Sequence, residues 1–264
     1  MKTKFTIAMI ALLVSSLGAN AQEKDSVETS ISCDLMSRYV WRGSQYSRTP
    51  SIQPCFELSY KGFVFGTWGA YSFNGAEGAE ADLYVSYSFA KEMFSVLVTD
   101  YFLPNEYSDN NYFEYCEEHT GHLLEGTLSF NGTEKLPLSF LVAANFYGAD
   151  KKKLNDDPNS PDFNQPTGNM YSAYLELGYS LETKDGTSID IFAGFAPNEP
   201  KKANQATGFI GETGYYGKYM GFVNIGFKAE MEIKISSEYN LPINFSLITN
   251  PMSENVFLVF GISL

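Results

Sequence analysis

The feature that most constrains this chain is a two-residue alternation of apolar and polar side chains, held over segments longer than most soluble strands. From Thr29 to Arg42, the residues Thr29, Ile31, Cys33, Leu35, Tyr39 and Trp41 fall on one side, and Ser30, Ser32, Asp34, Arg38 and Arg42 on the other. Successive side chains of a strand point to opposite faces, so the pattern predicts a strand with one oily and one wet face. Soluble strands usually run about five or six residues, whereas a tilted strand that crosses a bilayer needs roughly 9–11.

The same pattern recurs along the chain. Ile52, Phe56, Leu58 and Tyr60 oppose Ser51, Gln53, Glu57 and Ser59. Ala81, Leu83, Val85, Tyr87 and Phe89 oppose Glu80, Asp82, Tyr84, Ser86 and Ser88. Tyr171, Ala173, Leu175, Leu177, Tyr179 and Leu181 oppose Ser172, Tyr174, Glu176, Gly178 and Ser180, and Val256, Leu258, Phe260, Ile262 and Leu264 close the sequence in strict alternation. Twelve strands are expected, over 29–42, 51–60, 63–73, 80–89, 93–103, 120–130, 136–147, 169–181, 187–197, 217–229, 242–250 and 255–264. The segment 93–103 has no clean polar face, which leaves its orientation open.

Residues 1–21 are set apart as a leader. Lys2 and Lys4 precede an apolar run from Phe5 to Leu17, and Ala19-Asn20-Ala21 supplies the small-x-small pattern of a cleavage site before Gln22. Residues 22–28 then form a short periplasmic lead, and 29–264 the folded unit. Beyond the leader, no apolar run is long enough for a membrane-spanning helix. A chain that enters a bilayer without such a helix must close its strands into a barrel, because hydrocarbon offers no partner to free backbone groups. The fold class expected is therefore all-β, a closed antiparallel transmembrane barrel of about 12 strands. Aromatic residues, 16% of the chain, support strand structure and supply interface candidates in Tyr39, Trp41, Tyr60, Phe63, Phe89 and Tyr179.

Connection lengths agree with this reading. Lys61-Gly62, 90–92, 131–135 and 182–186 are short, while 104–119, 148–168 and 198–216 are long and polar. Outer-membrane barrels have short periplasmic turns and long outer loops. An even strand count puts both ends of the barrel in the periplasm. The connection 230–241 departs from the rule.

Charge decides which face is which. Arg or Lys at mid-bilayer costs about 2–4 kcal/mol, so the ionisable face must look inward. The inward set, the candidate pore lining, is Asp34, Arg38, Arg42, Glu57, Glu80, Asp82, Glu125, Glu176, Asp190 and Lys228. Seven acids against three bases favour cations. Arg38 and Arg42, on one face about 13 Å apart in an extended strand, could clamp an anionic solute or pair with Glu57 or Asp34. A 12-stranded lumen is also narrow enough to be filled by these same side chains.

Removing Lys2 and Lys4 from the 18 basic residues leaves 16 against 31 acidic, a net charge of about −15, which sets nucleic acid aside as a partner. Cys33, Cys55 and Cys116 make no disulfide framework, and the alternation places Cys33 and Cys55 on opposite faces. No Cys/His metal spacing is present, and neither a metal nor a cofactor is expected. Asp156-Asp157-Pro158-Asn159 lacks the spacing of a calcium loop and reads as solvated surface.

At Ser37-Arg38-Tyr39-Val40-Trp41-Arg42-Gly43 the chain resembles the S-R-Y-x-[WF]-R-G signature near the start of the TorF-type porins and related outer-membrane proteins of Bacteroidetes. Residues 247–251 and 255–261 are similar to the ends of such proteins, whereas the final Leu264 departs from the Phe or Trp that many barrels present to their assembly machinery. The resemblance implies an outer-membrane location, with lipid and the barrel-assembly machinery as partners, and a channel without catalytic residues. The function expected is passive passage of small hydrophilic solutes with mild cation preference. The alternatives are a non-conducting structural or surface-binding barrel and, in a different class, a barrel-embedded lipid hydrolase using His122 at a strand entrance. Catalysis is not the expectation, because no G-x-S-x-G motif accompanies that histidine.

Overall fold

The computed structural model describes residues 26–75, 77, 79–104, 111–117 and 119–264. The expected leader, residues 1–21, lies outside them, as does part of the lead at 22–25. The strands are β1 (Glu28–Met36), β2 (Tyr39–Trp41), β3 (Ser44–Ser47), β4 (Ser51–Tyr60), β5 (Phe63–Ser72), β6 (Ala79–Phe89), β7 (Phe94–Phe102) and β8 (His122–Phe130). They continue with β9 (Leu138–Gly148), β10 (Lys152–Leu154), β11 (Pro166–Asn169), β12 (Ala173–Glu182), β13 (Ser188–Ala196), β14 (Gly221–Lys234), β15 (Asn240–Asn250) and β16 (Asn255–Ser263).

Twelve of these close into one antiparallel barrel: β1, β4 to β9 and β12 to β16, each beside its neighbour in sequence. The ring is sealed where β16 meets β1, at Asp34↔Ser263, Leu35↔Ile262 and Met36↔Gly261. Reciprocal backbone hydrogen bonds between Cys33 and Leu264 extend that seam. The other four strands form two short hairpins that do not pair into the ring, β2–β3 and β10–β11.

The outer wall carries the oily residues. Leu128, Leu177 and Phe260 are 50%, 54% and 57% exposed, while the neighbouring inward Glu125 is fully covered. A water-soluble barrel would show the reverse, so this surface is one that faces hydrocarbon. At the short-turn end, Phe63, Tyr87, Phe89, Phe94 and Phe130 form a continuous row of rings with centroids 4.5 to 6.2 Å apart. Lys61 and Gly62, both at positive φ, make the tight turn between Tyr60 and Phe63. The twist of such a turn matches that of the strands it joins.

Three expectations are corrected. The first strand does not run to Arg42. It leaves the wall at Ser37, whose backbone N–H bonds the Phe260 carbonyl at 2.8 Å, and the following residues fold into the lumen as β2–β3. Arg42 and Gly43, with φ of 47° and 75°, cannot continue an extended strand. Tyr39 and Trp41 therefore sit inside the barrel and not in an outer aromatic belt. The long connection at 230–241 is a continuation of β14 and β15, which pair as far as Lys234↔Asn240 before a short turn. The expected strand 169–181 begins at Ala173, because Pro166–Asn169 pairs with β10 in the loop hairpin. The open question at 93–103 is settled by burial: Ser95, Leu97, Thr99 and Tyr101 point inward and Val96 outward.

Candidate functional site

The lumen is occupied by the hairpin β2–β3 and by Tyr215 and Tyr216 from the loop between β13 and β14. Arg42, at the tip of the hairpin, donates through both guanidinium nitrogens to the Glu125 carboxylate on β8, one contact being 2.9 Å. Its Nη1 also donates to the Tyr216 hydroxyl at 2.7 Å. Glu125 takes further hydrogen bonds from Tyr101 (3.2 Å), Thr127 (3.1 Å) and Tyr216 (3.3 Å). The guanidinium lies 4.4 Å from the ring centres of both Trp41 and Tyr174, so it is boxed by aromatic faces as well as paired. With 8% of the Arg42 side chain and none of that of Glu125 exposed, this is a desolvated ion pair whose carboxylate accepts three further hydroxyl hydrogen bonds.

Aromatic rings fill the space around it. Trp41 packs against Tyr101, Tyr216 and Tyr46, and Tyr39 against Trp68 and Tyr46, with centroids 5.4 to 6.1 Å apart. Gly43 passes so close to the wall that a Cβ there would stand 1.8 Å from the Val223 carbonyl oxygen. The Asn250 side-chain amide donates to the Gly43 carbonyl at 3.1 Å.

A second anchor holds the base of the hairpin at the loop end. The Glu77 carboxylate accepts from the Thr49 and Arg48 backbone N–H groups and from the Ser47 and Thr49 hydroxyls, at 2.7 to 3.1 Å. Partial desolvation works against ionisation of Glu77, but these donors together hold its pKa below the usual carboxylate range.

The expected pore-lining residues divide accordingly. Arg42 and Glu125 meet in the clamp. Glu57 accepts from the Tyr84 hydroxyl at 2.8 Å, and Glu176 accepts from Tyr174 and from the Asn224 amide (3.0 Å). Glu80 and Asp82, both buried on β6, lie beneath the hairpin, whose Tyr39 packs on Trp68, the β5 residue opposite Asp82. Asp190 accepts from Ser180 at 2.5 Å, and Lys228 pairs with Glu230, both at the short-turn end where they are partly exposed. Asp34 lies in β1 opposite Gln53. Arg38 follows Ser37 on the segment that leaves the wall, so the expected pair of arginines on one face of a wall strand is corrected: Arg38 precedes β2 and Arg42 sits in the turn after it.

His122 is fully covered on the outer side of the wall. Its Nδ1 lies 2.7 Å from Asp100 and its Nε2 2.7 Å from the Tyr112 carbonyl, with Tyr115 and Phe102 stacked on the ring. Both ring nitrogens are engaged within this cluster. Cys33 and Cys55 do stand on opposite faces, Cys33 outward in β1 and Cys55 inward, 3.0 Å from the Tyr84 hydroxyl.

The alternation pattern did not reveal Tyr101, Tyr174 and Tyr216 as partners of Arg42, nor Glu77 and Asn250 as anchors. One signal was present: Ser37 falls on the oily parity and Met36 and Val40 on the wet one, so the alternation breaks where the chain leaves the wall.

Two outer loops also pack together. Glu212 accepts from the Leu154 and Lys201 backbone N–H groups, and Lys201 pairs with Asp156 at 2.7 Å, which lowers the Asp156 pKa. Between them lies a cleft of about 460 Å³ lined by Asp156, Glu199, Lys201, Lys202, Asn204 and Thr207, among others.

Residues 20–190 match the family described as "Bacterial protein of unknown function (Gcw_chp)". No curated protein matches the chain. Among solved structures, the chain is similar to Wzi of Escherichia coli, described as an outer-membrane protein involved in group 1 capsule assembly and a carbohydrate-binding β-barrel. That match has 11% identity and a TM-score of 0.32, and covers 81% of this chain but 51% of Wzi, so the chain spans about half of that protein's length. It is also similar to the COG4313 outer membrane channel from Pseudomonas putida F1, at 11% identity and a TM-score of 0.39 over 94% of this chain and 99% of that one.

Proposed function

We propose that this chain, which belongs to the Gcw_chp family of bacterial proteins, is an outer-membrane β-barrel that passes small hydrophilic solutes through a lumen held shut by its own first loop. The observation that carries the reading is the inward hairpin clamped at Arg42–Glu125 inside a polar wall. A barrel filled only for rigidity is served by apolar packing, because each buried polar group without a partner costs free energy. Here the wall below the hairpin carries Ser86, Ser95, Thr127, Ser129 and Ser246. Among the described residues, nine buried side-chain polar atoms have no protein partner, and all but the Ser172 oxygen belong to inward strand positions or to residues 38–45. Such groups are satisfied when water enters. The lumen is thus lined for water and obstructed by one loop that is hydrogen-bonded at its tip and at its base.

Export by the leader, insertion by the barrel-assembly machinery and residence in the outer membrane complete the proposal. The likeness of residues 37–43 to TorF-type porins of Bacteroidetes supports it. The test is planar-bilayer conductance of the natural chain and of a variant in which residues 39–47 are replaced by a short Gly-Ser link. The natural chain is expected to be silent or to open rarely, and the shortened one to conduct steadily. Folding of both is checked by the heat-dependent shift in gel mobility that barrels show. A shortened variant that folds but stays silent would overturn passage and leave the surface-binding reading, for which the ordered outer-loop cleft is the specific support.

A further inference from the structure

Among the buried acids of the inward set, Glu80, Asp82 and Glu125, we propose that Glu80 and Asp82 set the charge preference of the opened passage, a statement that rests on the proposed conduction. Glu125 is neutralised by Arg42 and saturated by three hydroxyl donors. Glu57 and Glu176 are each held by a tyrosine hydroxyl, and Asp190 by a serine hydroxyl. Glu80 and Asp82 are different. Both are more than nine-tenths buried, and each keeps one carboxylate oxygen, Oε2 and Oδ1 respectively, without any donor. They stand two residues apart on β6, so both side chains enter the lumen from one strand, and the register sets them opposite Ala70 and Trp68 on β5, where no base is available. The hairpin covers them, since Tyr39 packs on Trp68, the β5 residue that pairs with Asp82. When the hairpin leaves, it takes away the Tyr39 cover and exposes two carboxylate oxygens that have no partner on the wall. A cation in transit can donate its hydration shell to them, whereas an anion meets only repulsion, as at carboxylate rings in cation-selective pores.

The specific claim separates these two from the other acids. Removing residues 39–47 also removes Arg42 and frees Glu125, so the background for the test is the shortened chain carrying Glu125→Gln. In that background the reversal potential across a tenfold KCl gradient is expected to indicate cation preference. Adding Glu80→Gln and Asp82→Asn is expected to bring it close to zero, while adding Glu57→Gln instead leaves it unchanged. Conductance is read alongside. If the background channel does not conduct at all, the passage proposal fails. If it conducts and the Glu80/Asp82 double variant keeps its selectivity, or Glu57→Gln abolishes it, the assignment to these two residues is overturned while passage stands. Both substitutions conserve volume, and the mobility shift confirms folding of each.

Discussion

Arg42 shows how far a single residue can be read from its neighbours in sequence. On parity alone it belongs with Arg38 on the wet face of a strand. Its partners are 83 and 174 residues away, at Glu125 and Tyr216, and no local pattern specifies them. The energetics of such a pair are asymmetric. Replacing Arg42 by Met leaves the Glu125 carboxylate buried without its counter-charge, a loss on the order of 3–5 kcal/mol, whereas removing both charges together costs far less. Equilibrium unfolding in detergent is therefore expected to rank Arg42→Met and Glu125→Leu each below the double variant. A double variant as unstable as the sum of the singles would show that the two groups do not act as a pair.

At the scale of elements, the hairpin is an insert fastened twice, and the outer fastening titrates. Hydrogen bonds from Thr49, Arg48 and Ser47 hold the Glu77 pKa below its unfolded value, so its contribution is complete above the usual Glu range and is lost as pH falls through the depressed folded value. The base of the hairpin is expected to stay fastened at neutral pH and to loosen only in acid. Protection of the Thr49 amide from hydrogen exchange, taken as a ratio to the Glu77→Gln variant at each pH, is expected to fall to one as acid is added; a ratio of one already at pH 7 would remove Glu77 from this role. The strands themselves were legible. The expected 51–60 coincides with Ser51–Tyr60, and most others agree within two or three residues, because lipid on one side and water or packed polar groups on the other enforce the period of two. The hairpins β2–β3 and β10–β11 were not legible, since each pairs only with itself and owes its position to the loops and wall around it.

For the whole molecule, the inverted polarity makes a quantitative demand. Leu177, midway along β12 and 54% exposed, is expected to tolerate Ala but not Arg, which should cost about 2–4 kcal/mol when the barrel is refolded into lipid vesicles. A Leu177→Arg barrel as stable as the parent would mean that this wall does not face hydrocarbon. Alternation, strand length, turn spacing and the sign of the charges determined from sequence alone that the chain closes into a barrel with its ionisable residues inside, because those properties repeat locally and each repeat meets the same two environments. The tertiary structure alone decided what the lumen contains. A loop turned inward competes for the same space as water, and whether it stays depends on contacts such as Arg42 with Glu125 and Gly43 against Val223, which exist only after the ring has closed and brought distant strands to within a side chain's reach.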